Sequence, residues 1–156
     1  MNVIQSLVAF LGRALLSFIF ISSAIHKIID WAPTMQFFTQ TLTDLLAVSV
    51  GSPHLQSLTE WCLANTSMLL LSGVMFELVG GLLVFLGLWT RLGALLLILF
   101  LIPTTIIFHH FWLMQGQDNQ MQMINFMKNV SICGGLLFIL AMGKGTRCSK
   151  ADDKVE

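Results

Sequence analysis

Four long hydrophobic runs dominate this chain of 156 residues. They cover approximately Val3 to Ile29, Ser67 to Leu88, Leu92 to Leu113 and Met123 to Met142. Each run is close to the ~20 residues that an α-helix needs to cross about 30 Å of hydrocarbon. Charged residues make up only 10% of the chain, well below the roughly 25% of an average soluble domain. The sequence therefore predicts an all-α fold, a polytopic membrane four-helix bundle over residues 1–143, followed by a tail at 144–156.

The connections between these runs are predicted from their lengths and their turn residues. The step Trp89-Thr90-Arg91 is short enough to make the second and third runs an antiparallel hairpin. The connection from Asp30 to Thr66 is too long to lack secondary structure in a compact domain. Apolar residues at helical spacing predict a short amphipathic helix there, lying on the membrane surface: Phe37, Phe38, Leu42, Leu45 and Leu46. Gly51-Ser52-Pro53 is predicted as a turn, with Pro53 opening the next helix, and Gln115 to Gln122 as a polar loop.

The distribution of basic residues predicts how the bundle is oriented. No Lys or Arg precedes Arg13, and the first apolar run is longer than the roughly 7–15 residues of a signal-peptide core, so we expect a retained helix. With four spans, Arg13, Arg91 and the basic tail fall on one side, and Lys27 and Lys128 fall on the other. The tail carries Lys144, Arg147, Lys150 and Lys154. The positive-inside rule then predicts that both termini are cytoplasmic and that the first connection faces the periplasm or the exterior.

Charge, cysteines and histidines argue against several classes of function. The formal net charge is zero, so no nucleic-acid partner is predicted. Cys62, Cys133 and Cys148 are odd in number and form no C-x-x-C pair, which predicts neither a disulfide framework nor a dithiol redox centre. His109 and His110 are adjacent, and on a helix they would point about 100° apart. That geometry suits a shared metal ion poorly, so no metal site is predicted.

Ionisable groups at membrane depth are the strongest functional pointers in such a chain. Glu77 lies about ten residues into the second run, roughly 15 Å deep. It shares a stripe with Gly73, Gly80 and Gly87, which recur every seven residues. Glycines allow helices to approach closely, so Glu77 should face the bundle interior. Glu77 is the candidate for proton handling, although a purely structural glutamate that holds helices together remains open.

Further polar residues cluster near the ends of the other runs. The ligand-binding candidates besides Glu77 are His26, Lys27, His109, His110, Asn125, Lys128 and Asn129. Simpler roles compete with binding. Lys27 could extend its amine to the interface, and Phe111 and Trp112 beside the histidines fit an aromatic belt. Asn125, Lys128 and Asn129 share one helix face, which could also be a polar cap where the helix meets the membrane.

The predicted topology brings these polar groups together in the outer half of the bundle. The first and third helices run outwards, and the fourth begins outside. A pocket is therefore expected to open to the periplasm, with Glu77 as its floor and Lys27, the histidines and Lys128 at its rim. Both a Glu77–Lys27 and a Glu77–Lys128 pair are compatible with this arrangement. An apolar cavity with a few polar groups is the usual form of a ligand site.

Several segments together resemble the DoxX family, in particular its YphA-like bacterial branch. The resemblance covers nearly the whole chain, residues 10–143. It is carried by Gly12-Arg13…Phe20…Ser23…Lys27, Glu77-Leu78-Val79-Gly80-Gly81-Leu82-Leu83…Gly87-Leu88-Trp89-Thr90-Arg91, His109 to Trp112, Met123-Ile124-Asn125-Phe126 and Lys128-Asn129-Val130-Ser131. No single motif among these is diagnostic, and the specificity comes from their order and spacing. The resemblance implies a four-helix protein of the bacterial inner membrane.

The activities that the resemblance implies are diverse. Some DoxX relatives are subunits linked to thiosulfate oxidation with quinone as acceptor, others belong to oxidative-stress complexes, and animal relatives act as assembly chaperones. The leading hypothesis is a redox-associated subunit that binds a quinone-like molecule. Because the chain has no haem, cluster or dithiol motif, electron transfer would need a bound cofactor or a membrane or periplasmic redox partner. An assembly factor and a small-molecule transporter are the alternatives, and whether the chain is an enzyme or a homo-oligomer stays open.

Overall fold

The computed structural model describes residues 3–48, 51–113 and 116–143. Within them the chain forms six α-helices and a short 3-10 turn, and no strand. The helices are α1 Val3–Ile29, α2 Trp31–Val48, α3 Pro53–Ala64, α4 Thr66–Leu86, α5 Thr90–Phe108 and α6 Gln117–Met142, with the 3-10 turn at Phe111–Leu113. The predicted tail, 144–156, lies outside the described residues.

Four of these helices are long and apolar enough to cross a membrane, which confirms the predicted four-helix bundle. They are α1, α4, α5 and the Asn119–Met142 portion of α6. α4 packs between α1 and α5, and α5 packs against α6. Many large apolar side chains on the outer faces are exposed, such as Leu15, Leu71 and Phe138. Lipid is the favourable solvent for such a surface.

The spanning helices share one apolar core. It is built from Phe20 of α1, Val84 of α4, four residues of α5, and Leu136 and Ile139 of α6. The four α5 residues are Ala94, Leu97, Ile98 and Leu101. α4 and α5 approach closely where two glycines face each other. A Cβ on Gly80 would lie 3.0 Å from the Gly93 carbonyl oxygen, and one on Gly93 would lie 2.9 Å from the Gly80 oxygen.

The α4–α5 hairpin is tight, as predicted, but its turn is displaced by about two residues from the expected position. α4 ends at Leu86, and α5 already begins at Thr90. Gly87 adopts φ 70°, the left-handed conformation that glycine takes without steric cost, and Trp89 follows with φ 47°. The Leu88 N–H donates to the Leu83 carbonyl and so closes the end of α4. Gly87, the last glycine of the predicted stripe, thus forms the C-terminal cap of α4.

The first connection contains two helices where the sequence predicted one. A helix does cover the amphipathic segment, but α2 runs for 18 residues and α3 follows it. Pro53 occupies the first turn of α3, as predicted. The apolar face of α2 packs on the bundle instead of lying freely on the membrane. Phe38 and Leu42 are buried in a second apolar cluster, together with Ala24 of α1 and Leu70 and Val74 of α4.

The third connection is also shaped differently from the prediction. α5 ends at Phe108 instead of Leu113, and α6 begins at Gln117 instead of Met123. The His110 side chain donates to the Ile107 carbonyl over 2.7 Å, so the ring occupies an acceptor near the helix end. The Asn119 side chain donates to the Phe111 carbonyl over 2.6 Å. These two bonds explain why α5 ends, and α6 begins, earlier than predicted. Gln115 lies outside the described residues.

Candidate functional site

An ion pair with a buried carboxylate joins the last turn of α1 to the middle of α4. Glu77 lies on the same face of α4 as the buried Val74, Gly80 and Val84, and only 2% of its surface is exposed. Its Oε2 accepts a hydrogen bond from Lys27 Nζ at 2.7 Å. A buried carboxylate is costly without a partner. The ion pair with Lys27 therefore offsets the free-energy cost of burying the Glu77 carboxylate.

The Lys27 ammonium has further neighbours. Its Nζ donates to the Ser23 hydroxyl at 2.7 Å, one helical turn earlier on α1. It also lies 5.1 Å from the centre of the Phe100 ring on α5, within the range of a cation–π contact. Three helices thus fix the position of one ammonium group. Its side chain remains 26% exposed, whereas that of Glu77 is 2% exposed.

A cavity of about 490 Å³ adjoins the Lys27 side of the pair. It lies between α2, α4 and α5, and Lys27 is its one lining residue from α1. The lining residues are Lys27, Thr34, Phe37, Phe38, Cys62, Leu69, Leu70, Ser72, Gly73, Val74, Phe76, Leu99, Phe100, Pro103, Thr104, Ile107, Phe108, His109 and Gln122. The walls are mainly apolar and aromatic, with a few polar groups. Such a composition and size are typical of small-molecule sites, which range over roughly 300–1,000 Å³.

Aromatic side chains cover the cavity on the α2 side. The Phe37 and Phe108 rings are stacked, with centres 5.6 Å apart and planes 15° apart. Phe38 lies 5.6 Å from Phe108 at 31°. These contacts hold α2 over the end of α5. Without α2, this side of the cavity would be open.

The two histidines have different environments. His109 Nδ1 lies 2.7 Å from Gln122 Oε1, within hydrogen-bond distance, and both residues line the cavity. His110 is 8% exposed, and its ring is bonded to the Ile107 carbonyl. The expectation that both rings project from one helix was wrong, because α5 ends before them. His109 is thus the histidine at the cavity.

Comparison with known proteins identifies the family. The model of the DoxX family matches residues 8–110 of the 156. The chain belongs to the DoxX family. It is also 42% identical over 72 residues to the inner membrane protein YphA of Escherichia coli (strain K12), an alignment that covers 46% of this chain. The chain spans about half the length of this curated relative, 51%. No solved structure matches the chain.

The region that matches the DoxX family contains both members of the ion pair and both histidines. It ends before the three candidates on α6, which are Asn125, Lys128 and Asn129. Together with the four apolar helices, the match establishes an integral, multi-pass membrane protein of this family.

Several predicted site residues of this DoxX protein do not line the cavity. The His26 side chain is 77% exposed, and its Nδ1 lies 3.4 Å from Asp30. Lys128 is exposed and Asn125 is half-buried, both on α6. Asn129 donates to Thr105 Oγ1 at 3.0 Å, which links α6 to α5. The helical turn that places Asn129 inwards directs Lys128 outwards, so only part of the shared face enters the bundle.

The position of Glu77 also differs from the expected pocket floor. It bonds to Lys27 but is not among the residues that line the cavity. Lys27 is the charged group at the wall, and Glu77 supports it from the interior. Sequence reasoning missed Phe100. It also missed Gln122, because that residue was assigned to a loop. The extension of α6 to Gln117 is what places Gln122 beside His109.

Metal ligands do not cluster in the part of the chain that the structure describes. No group of three or more His, Cys, Asp or Glu side chains is close enough there to hold a metal ion. What the described residues do bring together is one positioned ammonium, its carboxylate partner and an aromatic wall.

Proposed function

We propose that this DoxX-family protein is a redox-associated membrane subunit that binds a quinone-like molecule in the cavity beside Lys27. The observation that carries the proposal is a single ammonium, fixed by a buried carboxylate, at the wall of a cavity that is otherwise mainly apolar and aromatic. A quinone has matching features, since it combines a flat apolar ring with carbonyl oxygens that accept hydrogen bonds.

The geometry of Lys27 fits this class of ligand. An ammonium has three N–H donors. Glu77 and Ser23 occupy two of them, and the third has no hydrogen-bond partner among the described side chains. The nearby Phe100 ring lines the cavity. Lys27 would therefore hold a ligand carbonyl, with His109 and Gln122 as further polar groups at the wall.

Each group has a distinct role in this proposal. A bound quinone supplies the electron acceptor. Lys27 Nζ would donate to the ligand oxygen, and Glu77 Oε2 would hold the ammonium in position through its hydrogen bond. Reduction of a quinone consumes protons, and Lys27 Nζ, which is hydrogen-bonded to Glu77 Oε2, would be the donor at the cavity wall that supplies one to the ligand oxygen. A membrane or periplasmic redox partner would deliver the electrons.

The proposed location is the bacterial inner membrane with both termini in the cytoplasm. The name of the YphA relative supports the inner membrane. The bias of basic residues in the sequence supports the orientation. In this orientation, α2 and α3 lie on the periplasmic side, and the cavity lies in the outer half of the bundle.

The test is mass spectrometry of small molecules that co-purify with the protein in mild detergent. We expect a quinone with the wild type and at least about a tenfold loss with Lys27→Met, the equivalent of ~1.4 kcal/mol of binding free energy. Because Lys27→Met leaves the buried Glu77 without its ion-pair partner, Lys27→Met/Glu77→Gln is measured in parallel. Lys128→Met is the matched control, since Lys128 is an exposed lysine away from the cavity. Equal quinone content in all four proteins would refute the proposal.

An assembly or stabilising factor for a membrane complex is the second candidate, and one feature supports it. Gly12 on α1 and Gly134 on α6 are exposed, and a Cβ built on either would meet no atom within 4 Å. Open glycines on a lipid-facing surface allow the helix of another protein to approach closely. A stoichiometric membrane partner that is lost in Gly134→Leu, with no bound small molecule, would favour this function over quinone binding.

A further inference from the structure

The cavity has a side opening between α4 and α5. Ser72 and Phe76 of α4 and Leu99 and Pro103 of α5 line the cavity and are also exposed. The exposed fractions are 38% for Phe76 and 51% for Leu99. A cavity-lining residue with an exposed side chain marks the edge of an opening. This edge belongs to two helices that are apolar enough to span a membrane.

The opening lies at the depth of the hydrocarbon. Ser72 is six residues from the start of α4, about 9 Å at 1.5 Å per residue. Leu99 is nine residues from the end of α5, about 14 Å by the same rise. Lipid chains, not water, surround the bundle at this depth. A molecule that passes through the opening therefore comes from the bilayer.

Small side chains keep the opening clear. Ser72 turns its hydroxyl back to the Leu69 carbonyl at 2.9 Å, so it presents little polarity to a passing molecule. Gly73 follows, and a Cβ built there would be at ordinary contact distance from Phe100, 3.6 Å. Any larger side chain at Gly73 would project into the cavity. On the α2 side, Phe37 also lines the cavity and is 64% exposed, but its ring stacks on Phe108 and fills that edge.

We infer that the ligand reaches the cavity sideways from the bilayer, through the opening between α4 and α5. The inference rests on the proposed function and narrows its ligand class. The ligand is a molecule dissolved in the membrane, with an apolar body and a hydrogen-bond acceptor that Lys27 Nζ can meet. Water-soluble molecules of the same head-group chemistry do not use this route, because the opening is surrounded by hydrocarbon.

Cys62 provides a readout that does not depend on activity. It lines the cavity and is half-buried. In a Cys133→Ala/Cys148→Ser background, alkylation by a maleimide then reports on Cys62 alone. The full chain is placed in lipid nanodiscs, and the probe is a fully substituted benzoquinone with a decyl chain, because a ring without free positions resists addition of the Cys62 thiol. After increasing delays, a pulse of maleimide measures how far the probe protects Cys62.

Ser72→Phe places a ring in the opening, and Ser131→Phe is its matched control. Ser131 is likewise an exposed serine on a spanning helix, with its hydroxyl bonded to its own helix at Met127, but it does not line the cavity. We expect Ser72→Phe to delay the onset of protection about tenfold, as ~1.4 kcal/mol of added barrier would do. The final extent of protection should stay as in the wild type, and Ser131→Phe should change neither quantity.

Each other outcome has a separate meaning. Unchanged onset in Ser72→Phe, or an equal delay in Ser131→Phe, overturns the sideways route and leaves the proposed function standing. If Ser72→Phe reduces the final protection but leaves its onset unchanged, the added ring occupies the cavity and not the opening. That result also overturns the route. If the probe fails to protect Cys62 in the background protein without Ser72→Phe, the proposed quinone binding fails, and the route falls with it.

Discussion

The contact between Gly80 and Gly93 offers a sharp test of how α4 and α5 pack. Gly80→Ala adds a Cβ that would lie 2.9 Å from Leu97 Cγ and 3.0 Å from the Gly93 carbonyl oxygen. Unstrained carbon contacts lie at about 3.5–4.0 Å. The Leu97 side chain can shift, but the Gly93 carbonyl is part of the α5 backbone. The two helices must therefore move apart by several tenths of an ångström.

The expected cost follows from these distances. Overpacking a well-packed core by one carbon costs about 1–3 kcal/mol. Replacing glycine by alanine inside a helix returns up to about 1 kcal/mol through helix propensity. The net loss for Gly80→Ala should be roughly 1–2 kcal/mol, which corresponds to about 2–8 °C in Tm for a chain of this size.

Thermal unfolding in mild detergent measures this shift, with far-UV circular dichroism confirming unchanged helix content. Gly134→Ala is the control, because a Cβ there meets nothing within 4 Å, so its Tm should stay equal or rise slightly. Gly93→Ala should repeat the loss. The double variant Gly80→Ala/Gly93→Ala should lose less than the sum, because helices that have already separated accept the second methyl more easily. Equal Tm values for Gly80→Ala and Gly134→Ala would refute the close packing.

The structure supports three further predictions, and the basic residues of the sequence support a fourth. Lys27→Met should cost about 3–5 kcal/mol by leaving Glu77 unpaired, and Lys27→Met/Glu77→Leu should recover most of that loss, as measured by thermal unfolding. Asn129→Leu should cost about 1 kcal/mol through loss of the bond to Thr105, seen as a Tm decrease of a few degrees. Burial raises the pKa of the Cys62 thiol, so its thiolate fraction is low at neutral pH and its alkylation rate should rise steeply as the pH increases. A fluorescent protein fused to the C-terminus should fluoresce in cells, whereas alkaline phosphatase fused there should be inactive, because the tail is predicted to be cytoplasmic.

Matched control variants distinguish these specific effects from the loss of stability that any substitution could cause. Lys128→Met should leave Tm unchanged, because its amine is exposed, and an equal loss there would remove the case for the ion pair. Asn125→Leu is the companion of Asn129→Leu and should be nearly neutral. A pH profile for Cys62 that follows that of an exposed thiol would contradict its burial. Active C-terminal alkaline phosphatase would reverse the proposed orientation.

The sequence anticipated the spanning helices well because membrane insertion depends on local composition. A helix that crosses hydrocarbon must be long and apolar, and both properties can be read in a linear window. α1 was predicted with the bounds that the structure has, Val3–Ile29. The end of α5 and the start of α6 were predicted less well. They depend on side-chain bonds such as His110 to Ile107 and Asn119 to Phe111, which hydropathy does not detect.

The candidate site was anticipated only in part, for a related reason. Burial of a charge at membrane depth pointed to Glu77 from sequence alone, since such a residue must face the interior or a partner. The choice between Lys27 and Lys128 as that partner required the rotation of each helix. The packed structure turns Lys27 towards Glu77 and leaves Lys128 exposed.

The sequence by itself determined that this is a four-helix membrane protein with a carboxylate inside, because hydrophobicity and its periodicity are local properties. Only the tertiary structure decided that α2 folds back over α4 and α5. This packing creates an aromatic-lined cavity with Lys27 at its wall and Glu77 behind it. A cavity is the space between elements that are distant in the chain, so its shape depends on helix rotation and contact, which no local pattern encodes.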